Sequence, residues 1–280
     1  FFMKIKTHLL WNKIEKKKAF PKYIREIKIL SFQNFNKKIN SGNIYEINKI
    51  IRNLYNGDFY IIRNTISNNQ IKNLKTKLVN YSKKNKSSFH KMLEGVPNYW
   101  RKIDEKQMNK YSFKVIKSAW YFFRWNKDKM KVWKLFSHKW SLVKYLMGLN
   151  PDEYVKNTPK NKVIDRIQIV QYPKNTGFCQ SHWHSPKNQR IIISFYFSQI
   201  KKDFLSGGTY FYKKGKKKFK VEEFINKGDM GLFYSTLIHG VDPVIVENKK
   251  IKNNLTGRWW CGLYSPESNE VKKRTTSKVA

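Results

Sequence analysis

The chain has 280 residues, of which 40% are hydrophobic and 16% aromatic, and it carries a formal net charge of +39. This length suffices for one large or two small domains, and the apolar fraction allows a sizeable core. No apolar run reaches the roughly 18 residues of a membrane span, and the two cysteines exclude a disulfide scaffold. The opening residues are too short and too charged for a signal peptide, and two cysteines fit a reducing cytoplasm, so we expect a cytoplasmic globular protein.

The positive charge has two explanations, and both stay open at this point. Lysine, asparagine and isoleucine are all abundant, as AT-rich coding produces, and the lysines are spread along the whole chain. A real anionic partner would also explain the charge. We expect a small-molecule substrate, which this charge allows to be anionic. Composition leaves the oligomeric state undetermined.

The first part of the chain is predicted to be an arm followed by helices. Residues 1–45 are basic and weakly patterned, so we interpret them as an N-terminal arm. Apolar residues then follow helical spacing up to Leu54, and Phe59 to Ile62 has the composition of a strand. Ser67 is a candidate N-cap for a second amphipathic helix. Residues 129–149 are predicted to form a further helix with an aromatic stripe.

The C-terminal part has the pattern of a β domain. From Lys162 onward short strands alternate with turns rich in Gly, Pro and Asn, which is typical of a barrel or jelly roll. No linker or internal repeat divides the chain. We therefore predict a single domain over residues 46–266, with its β core at about 163–266, and a polar tail over 267–280.

Three of the six histidines occupy positions that suit a metal site. His182 and His184 stand at i and i+2, so on a strand they point to the same face. His239 ends the apolar run Met230 to Ile238, which is typical of a buried strand. Imidazoles meeting from two strands suit iron, zinc, copper or nickel. Cys179 is an alternative ligand for zinc, although no second cysteine accompanies it.

Downstream of these histidines, Arg258 follows Gly257 on a short aromatic strand. The order of parts from about residue 165 to 266 resembles the Fe(II)/2-oxoglutarate-dependent oxygenases of the phytanoyl- and prolyl-hydroxylase type. That family carries His-x-Asp/Glu, a distal His, and an Arg that binds 2-oxoglutarate. The most specific fragment is His239-Gly-Val-Asp-Pro-Val before Gly257-Arg258-Trp.

The resemblance implies an α+β, mainly β protein, with a double-stranded β-helix (jelly-roll) core and flanking N-terminal helices. It implies Fe(II), 2-oxoglutarate and O2 as cofactors, and hydroxylation of a small molecule coupled to decarboxylation of 2-oxoglutarate to succinate. His182, His184 and His239 would bind the metal, with no catalytic residue beyond that site. Arg258 would bind the distal carboxylate of 2-oxoglutarate. One of Gln168 and Gln171, which point to opposite strand faces, would add a hydrogen bond.

Residues 87–112 form a long insert. In the family that the chain resembles, an insert of this kind often covers the entrance to the substrate site. Tyr99, Trp100 and Arg101 are therefore candidate substrate-binding residues. The alternative is that these aromatic rings simply pack in the core. Binding of nucleic acid is disfavoured, because the demethylase branch carries a second Arg shortly after the first and residues 259–266 contain none.

One departure from the family pattern affects function. His184 stands where the family has Asp or Glu, so the expected two-histidine, one-carboxylate set becomes three histidines. Two alternatives to an oxygenase follow: a metal-binding jelly-roll protein without turnover, and a cupin-like three-histidine enzyme that does not use 2-oxoglutarate. An Arg258 that lies inside the barrel without a protein carboxylate as partner would favour 2-oxoglutarate, whereas full pairing with a protein carboxylate would favour one of the two alternatives.

Overall fold

A computed structural model describes residues 7–247, 254–275 and 277–280. Within these ranges the α-helices are α1 (Thr7–Glu15), α2 (Phe32–Asn40), α3 (Ile44–Tyr55), α4 (Asn68–Lys84) and α5 (Val132–Leu146). The strands are β1 (Ile27–Ser31), β2 (Phe59–Arg63), β3 (Tyr99–Ile103), β4 (Val115–Phe123), β5 (Arg166–Tyr172), β6 (Phe178–Trp183), β7 (Ile191–Tyr196), β8 (Ser206–Tyr212), β9 (Lys218–Lys220), β10 (Met230–Tyr234), β11 (His239–Ile245), β12 (Arg258–Tyr264) and β13 (Lys278–Val279). The protein is α+β and mainly β, as predicted.

The strands form two sheets that share β4. The larger sheet has the order β1-β2-β10-β7-β12-β5-β4, with β3 on β4, and the smaller one has the order β6-β11-β8-β9, with β13 on β6. In β4, Val115 and Ile116 pair with β6, whereas Ser118 to Phe123 pair with β5. Apolar clusters made from both sheets fill the space between them. This arrangement is the predicted double-stranded β-helix.

The helices cover the outer face of the larger sheet. Their apolar stripes and that face form the largest core cluster, which includes Trp133 and Trp140 of α5. Helix α4 begins where the sequence predicts, because Ser67 and Gln70 form a capping box. Among the described residues, no helix is long and apolar enough to cross a membrane.

The segment predicted as an N-terminal arm is instead part of the fold. From residue 7 it forms α1, β1 and α2, and Trp11, Phe35 and Ile39 are buried in the core cluster. Residues 1–6 lie outside the described part of the chain. Few apolar anchors stand among many lysines here, so the composition hides a helical stripe that tertiary packing uses.

The predicted polar tail is also built into the domain. Strand β13 pairs with β6, so that Val279 lies opposite His182. Glu267 and Ser268 are buried, and the hydroxyl of Ser268 donates a hydrogen bond to the carbonyl of Pro159. Backbone pairing and single polar contacts leave no hydrophobic period in a sequence, so the pattern predicts only a polar tail here.

Candidate metal centre

His182, His184 and His239 converge between the two sheets. His182 and His239 are directly paired across β6 and β11, and His184 follows the end of β6, where its backbone N–H donates to the carbonyl of Ser235. The ring centroids are 4.5 Å apart for His182 and His239, and 5.0 and 5.3 Å for the pairs with His184. One ligand-capable atom from each residue lies within 4.8 Å of the other two. Cys179 is not a member of this group.

Hydrogen bonds fix which ring nitrogen of each histidine can bind a metal. Nδ1 of His182 lies 2.8 Å from the carbonyl oxygen of Gln180, and Nδ1 of His239 lies 2.8 Å from that of Leu237. Because a carbonyl only accepts, Nδ1 carries the proton in both rings and Nε2 keeps its lone pair. This is the arrangement that orients a metal-bound imidazole.

The third histidine is held by a residue of the C-terminal segment. Nδ1 of His184 lies 2.8 Å from the hydroxyl of Ser277, and its Nε2 is buried without a partner among the described residues. An N–H at Nε2 would be an unsatisfied buried donor, whereas a lone pair at Nε2 would be satisfied by a metal ion. The residues present therefore fit a divalent metal held by three Nε2 atoms.

The surroundings keep all three imidazoles neutral. Burial lowers the pKa of His182 well below its ordinary value, and the neighbouring His239 and His184 lower it further. Burial, followed by His239, Lys117 and Arg166, lowers the pKa of His184. Burial lowers the pKa of His239 to about 4. Neutral imidazole is the metal-binding form, so the ligands need not release protons near pH 7.

A cavity of about 250 Å³ contains the three histidines. Phe113 stacks on His182 with a centroid distance of 4.4 Å, and Phe233 packs edge-on against His239 at 4.8 Å. Aromatic contacts of this kind hold the imidazole rings in place. Cys179 lies behind His182, with its sulfur 3.8 Å from Nδ1, and burial raises the pKa of its thiol to about 11. This neutral thiol is not placed as a ligand.

Arg258 lies inside the barrel but is paired with a protein carboxylate. Both it and Glu222 are 1% exposed, and its Nε and Nη2 donate to the two oxygens of Glu222 at 3.1 Å each. Nη2 also donates to the hydroxyl of Thr209, while Nη1 is buried without a partner among the described residues. This differs from the unpaired arginine expected of a 2-oxoglutarate site, and Glu222 has already neutralised the guanidinium.

The two glutamines have different environments. Gln168 lines the cavity, and its side-chain oxygen accepts a hydrogen bond from Arg166 at 3.2 Å. Gln171 lies outside the cavity on the other face of β5, where its side-chain amide donates to the carbonyl of Asn254. The alternation of side chains along the strand separates them, so Gln171 is removed from the predicted cosubstrate residues.

Tyr99, Trp100 and Arg101 do not line the cavity, in contrast to the prediction. They belong to β3, which pairs with β4. Tyr99 stacks on Tyr121, Trp100 stacks on Trp120, and Arg101 donates to the hydroxyls of Tyr99 and Tyr111. The insert therefore contains a structural strand, and the alternative of simple packing applies to these residues.

Sequence patterns did not identify four residues that shape the site: Glu222, Ser277, Arg166 and Arg274. Glu222 lies in a short 3-10 turn after β9, and Ser277 and Arg274 lie in the segment interpreted as a tail. Arg166 opens β5 and was visible only as one polar residue of an alternating strand. No local spacing links any of them to the histidines, because the sheet topology alone brings them together.

Solved structures of low sequence identity share this fold. A full-length Neurospora crassa protein in complex with α-ketoglutarate and thymine gives a TM-score of 0.53 at 11% identity, covering 87% of this chain and 86% of that chain. The Arabidopsis thaliana dioxygenase for auxin oxidation 1, in its 2-oxoglutarate complex, gives 0.50 at 12% identity, covering 88% and 94%. The chain has the double-stranded β-helix fold of the 2-oxoglutarate oxygenases. No protein-family profile and no curated protein matches its sequence.

Proposed function

We propose that the protein is a non-haem iron oxygenase that binds Fe(II) through His182, His184 and His239 and oxidises a small molecule with dioxygen. The main observation in support is that three neutral imidazoles converge in a buried cavity, each with its Nδ1 hydrogen-bonded to a neighbouring oxygen. A bound iron would supply the redox chemistry. The protein supplies the ligands, fixes their orientation and excludes bulk water.

The size of the cavity supports a small substrate. About 250 Å³ leaves room for a molecule of a few ring or chain atoms beside the metal. A solved protein with this fold contains thymine, a molecule of similar scale. Three neutral ligands would leave both charges of a divalent ion uncompensated, so the site would hold Fe(II) less tightly than one with a carboxylate and would attract an anionic ligand.

The finer form of this proposal is a 2-oxoglutarate-dependent hydroxylase, in which substrate, O2 and 2-oxoglutarate give hydroxylated substrate, succinate and CO2. The shared fold supports it, as does the buried Nη1 of Arg258, which still has a hydrogen to donate. Glu222 opposes it, because the arginine that would receive the distal carboxylate already binds one. As these two residues stand, Arg258 does not fit the cosubstrate, and no step is assigned to it.

The second candidate is a three-histidine iron enzyme that does not use 2-oxoglutarate. The Arg258–Glu222 pair favours it, since a fully buried ion pair linked to Thr209 can serve the architecture of the barrel without any ligand. In this version the three histidines would hold the iron, the iron would supply the reaction with dioxygen, and the cavity would hold the substrate beside it. A metal-binding protein without turnover would share the same histidines.

Two measurements test the proposal. First, Co(II) as a spectroscopic substitute for Fe(II) should bind once per chain with an absorption band that indicates nitrogen ligands, and His239→Ala should abolish it. Second, protein supplied with Fe(II), ascorbate, O2 and 2-oxoglutarate should form succinate if the finer version holds. A protein that binds no metal would rule out both candidates.

Glu222→Gln separates the two candidates, with Glu223→Gln as the control, because Glu223 is the exposed neighbour in the same turn. If 2-oxoglutarate must compete with Glu222 for Arg258, removing that charge should strengthen 2-oxoglutarate binding by about tenfold or more, as expected for a charged hydrogen bond of about 1.5–3 kcal/mol. Calorimetry on anaerobic metal-loaded protein measures this. Equal affinity in both variants would show that 2-oxoglutarate does not bind to Arg258, and no binding to either variant would favour the enzyme without 2-oxoglutarate.

A further inference from the structure

The cavity carries an excess of positive charge on its walls. Five cationic side chains line it, namely Lys117, Arg166, Lys187, Arg258 and Arg274. Lys187 is paired with Glu267 at 2.8 Å, and Arg258 is paired with Glu222 at 3.1 Å. Among the described residues, none of the other three has a carboxylate within ion-pair distance. Glu267 also lines the cavity, so Glu222 and Glu267 balance two of the five cations. Together with a divalent metal on neutral ligands, the other three leave the cavity with an excess of positive charge.

The guanidinium of Arg166 packs against aromatic rings and not against a carboxylate. Its guanidinium carbon lies 5.4 Å from the ring centre of Tyr121 and 5.5 Å from that of Tyr264. Nη2 donates to Gln168, and Nε is buried without a partner among the described residues. Cation–π contact with two rings holds a guanidinium in place while leaving its charge available.

Arg274 faces the same part of the cavity from the C-terminal segment. Its Nε donates to the backbone carbonyl of Glu267 at 3.0 Å, which fixes the side chain but does not neutralise it. Burial, followed by the charge of Arg166, lowers the pKa of Arg274, and the charge of Glu267 opposes this only in part, so the two guanidinium groups affect each other. Two like charges held together in a partly buried site are costly unless an anion lies between or beside them.

The register of β12 places this pair away from Arg258. Tyr264 is paired with Arg166, whereas Arg258 is paired with Tyr172 at the other end of β5. Six residues of strand separate these ends by about 20 Å. His184 lies on the Arg166 side, with its ring 6.1 Å from that of Tyr264. At the Arg258 end the guanidinium has its own carboxylate, whereas at the Arg166 end the carboxylate of Glu267 is bound by Lys187 and by the backbone N–H of Thr275.

We propose that Arg166 and Arg274 form an anion subsite that binds a carboxylate of a small organic ligand whose other end lies at the three-histidine centre. This inference rests on the proposed function, because the metal site sets where the rest of the ligand lies. Two ligands have this chemistry: a 2-oxo acid cosubstrate, and a substrate that itself carries a carboxylate. In either case the carboxylate would bind at the end of the barrel opposite Arg258.

The test is calorimetric titration with two probes, 2-oxoglutarate and glutarate, which differ only in the 2-oxo group that can chelate a metal. Zn(II)-loaded wild type is compared with Arg166→Gln, Arg274→Gln and Arg258→Gln. Lys217→Gln, at the exposed β8–β9 turn, is the control for net charge. We expect Arg166→Gln and Arg274→Gln each to weaken binding about tenfold or more, because each removes a charged hydrogen-bond donor, while Lys217→Gln changes it less than twofold.

The pattern across the probes identifies the source of the carboxylate. Weakening for 2-oxoglutarate alone assigns the subsite to the cosubstrate, and weakening for glutarate as well assigns it to carboxylate ligands in general, as on a substrate. Arg166→Gln loses its contact with two tyrosines, so if its melting temperature falls, Arg274→Gln carries the test. Binding that weakens only on Arg258→Gln overturns the proposal.

Metal binding is measured separately, so failure of the metal site is distinguishable from failure of the subsite. Glutarate is therefore also titrated into metal-free protein. If zinc does not bind but glutarate binds and depends on Arg274, the subsite stands and the proposed oxygenase does not. If zinc binds and neither probe does, the anion subsite is wrong.

Discussion

His184 is the residue that most distinguishes this centre from a two-histidine, one-carboxylate site. The sequence predicted three convergent imidazoles, because i, i+2 spacing on a strand and a distal histidine are local signals. It gave no sign of Ser277, whose hydroxyl lies 2.8 Å from Nδ1 of His184. That contact depends on β13 pairing with β6, a long-range event without a sequence period.

His184→Ala should weaken Co(II) binding by about tenfold or more, since it removes one of three ligands. His184→Asp should bind Co(II) at least as tightly as the wild type, because a carboxylate supplies a negative charge to the divalent ion. His138→Ala is the control, as that ring lies outside the cavity and contacts Asn36. Unchanged affinity in His184→Ala would mean that His184 is not a ligand. Absorption titration measures all three variants.

The buried histidines also make metal-free protein sensitive to acid. Burial lowers the pKa of His239 from 6.5 to about 4, so the unfolded chain binds a proton below pH 6.5 that the folded protein refuses until about pH 4. The titration of His239 therefore does not change the free energy of unfolding above pH 6.5. It lowers that free energy by about 3 kcal/mol as the pH drops from 6.5 toward 4. Urea unfolding in the presence of a chelator measures the free energy of unfolding across this range. His239→Gln should show a shallower dependence on pH, and an equal slope would contradict the assignment.

At the scale of elements, the connection from β8 to β10 is what closes the Arg258 end of the barrel. Glu222 lies in the 3-10 turn after β9 and accepts hydrogen bonds from Arg258 and from the backbone N–H of Thr209. It can approach because Gly208 has φ +96 and no side chain, and an added Cβ would lie 2.7 Å from Cγ of Glu222. The sequence showed the Gly207-Gly208 step but not its partner, since Glu222 is one of two adjacent acids after a lysine-rich hairpin and nothing local shows which of them is buried.

Gly208→Ala should destabilise the protein by more than its backbone conformation alone explains. Gly215 is the matched control, because it has φ +86 and nothing within 4 Å of an added Cβ. We expect Gly215→Ala to cost about 1–2 kcal/mol for the left-handed backbone. Gly208→Ala should cost about 1–3 kcal/mol more, from displacement of Glu222. Chemical denaturation measures both variants. Equal losses would show that the approach of Glu222 to this strand is not tight.

For the whole molecule, the β core and its histidines were predictable from short-range patterns, whereas the limits of the domain were not. Both ends of the described chain pack onto the barrel: α1 contacts it through Glu15, which accepts hydrogen bonds from Arg190 and Tyr234, and β13 extends the smaller sheet. A composition dominated by lysine concealed these contacts, because a few buried anchors per segment decide packing and the many charged residues decide the average.

The N-terminal helix therefore should contribute to the stability of the whole domain and not behave as a separate arm. Trp11 is 0% exposed and its indole N–H donates to the carbonyl of Leu146 at 2.6 Å, whereas Leu9 on the same helix is 53% exposed. Trp11→Ala should lower the free energy of unfolding by about 3–5 kcal/mol, the cost of emptying a large buried site. Leu9→Ala should change it by less than about 0.5 kcal/mol, as at an exposed position. Urea unfolding followed by far-UV circular dichroism and by tryptophan fluorescence measures both. If Trp11→Ala left the main transition unchanged, α1 would be independent of the domain, and the N-terminal arm predicted from composition would be correct.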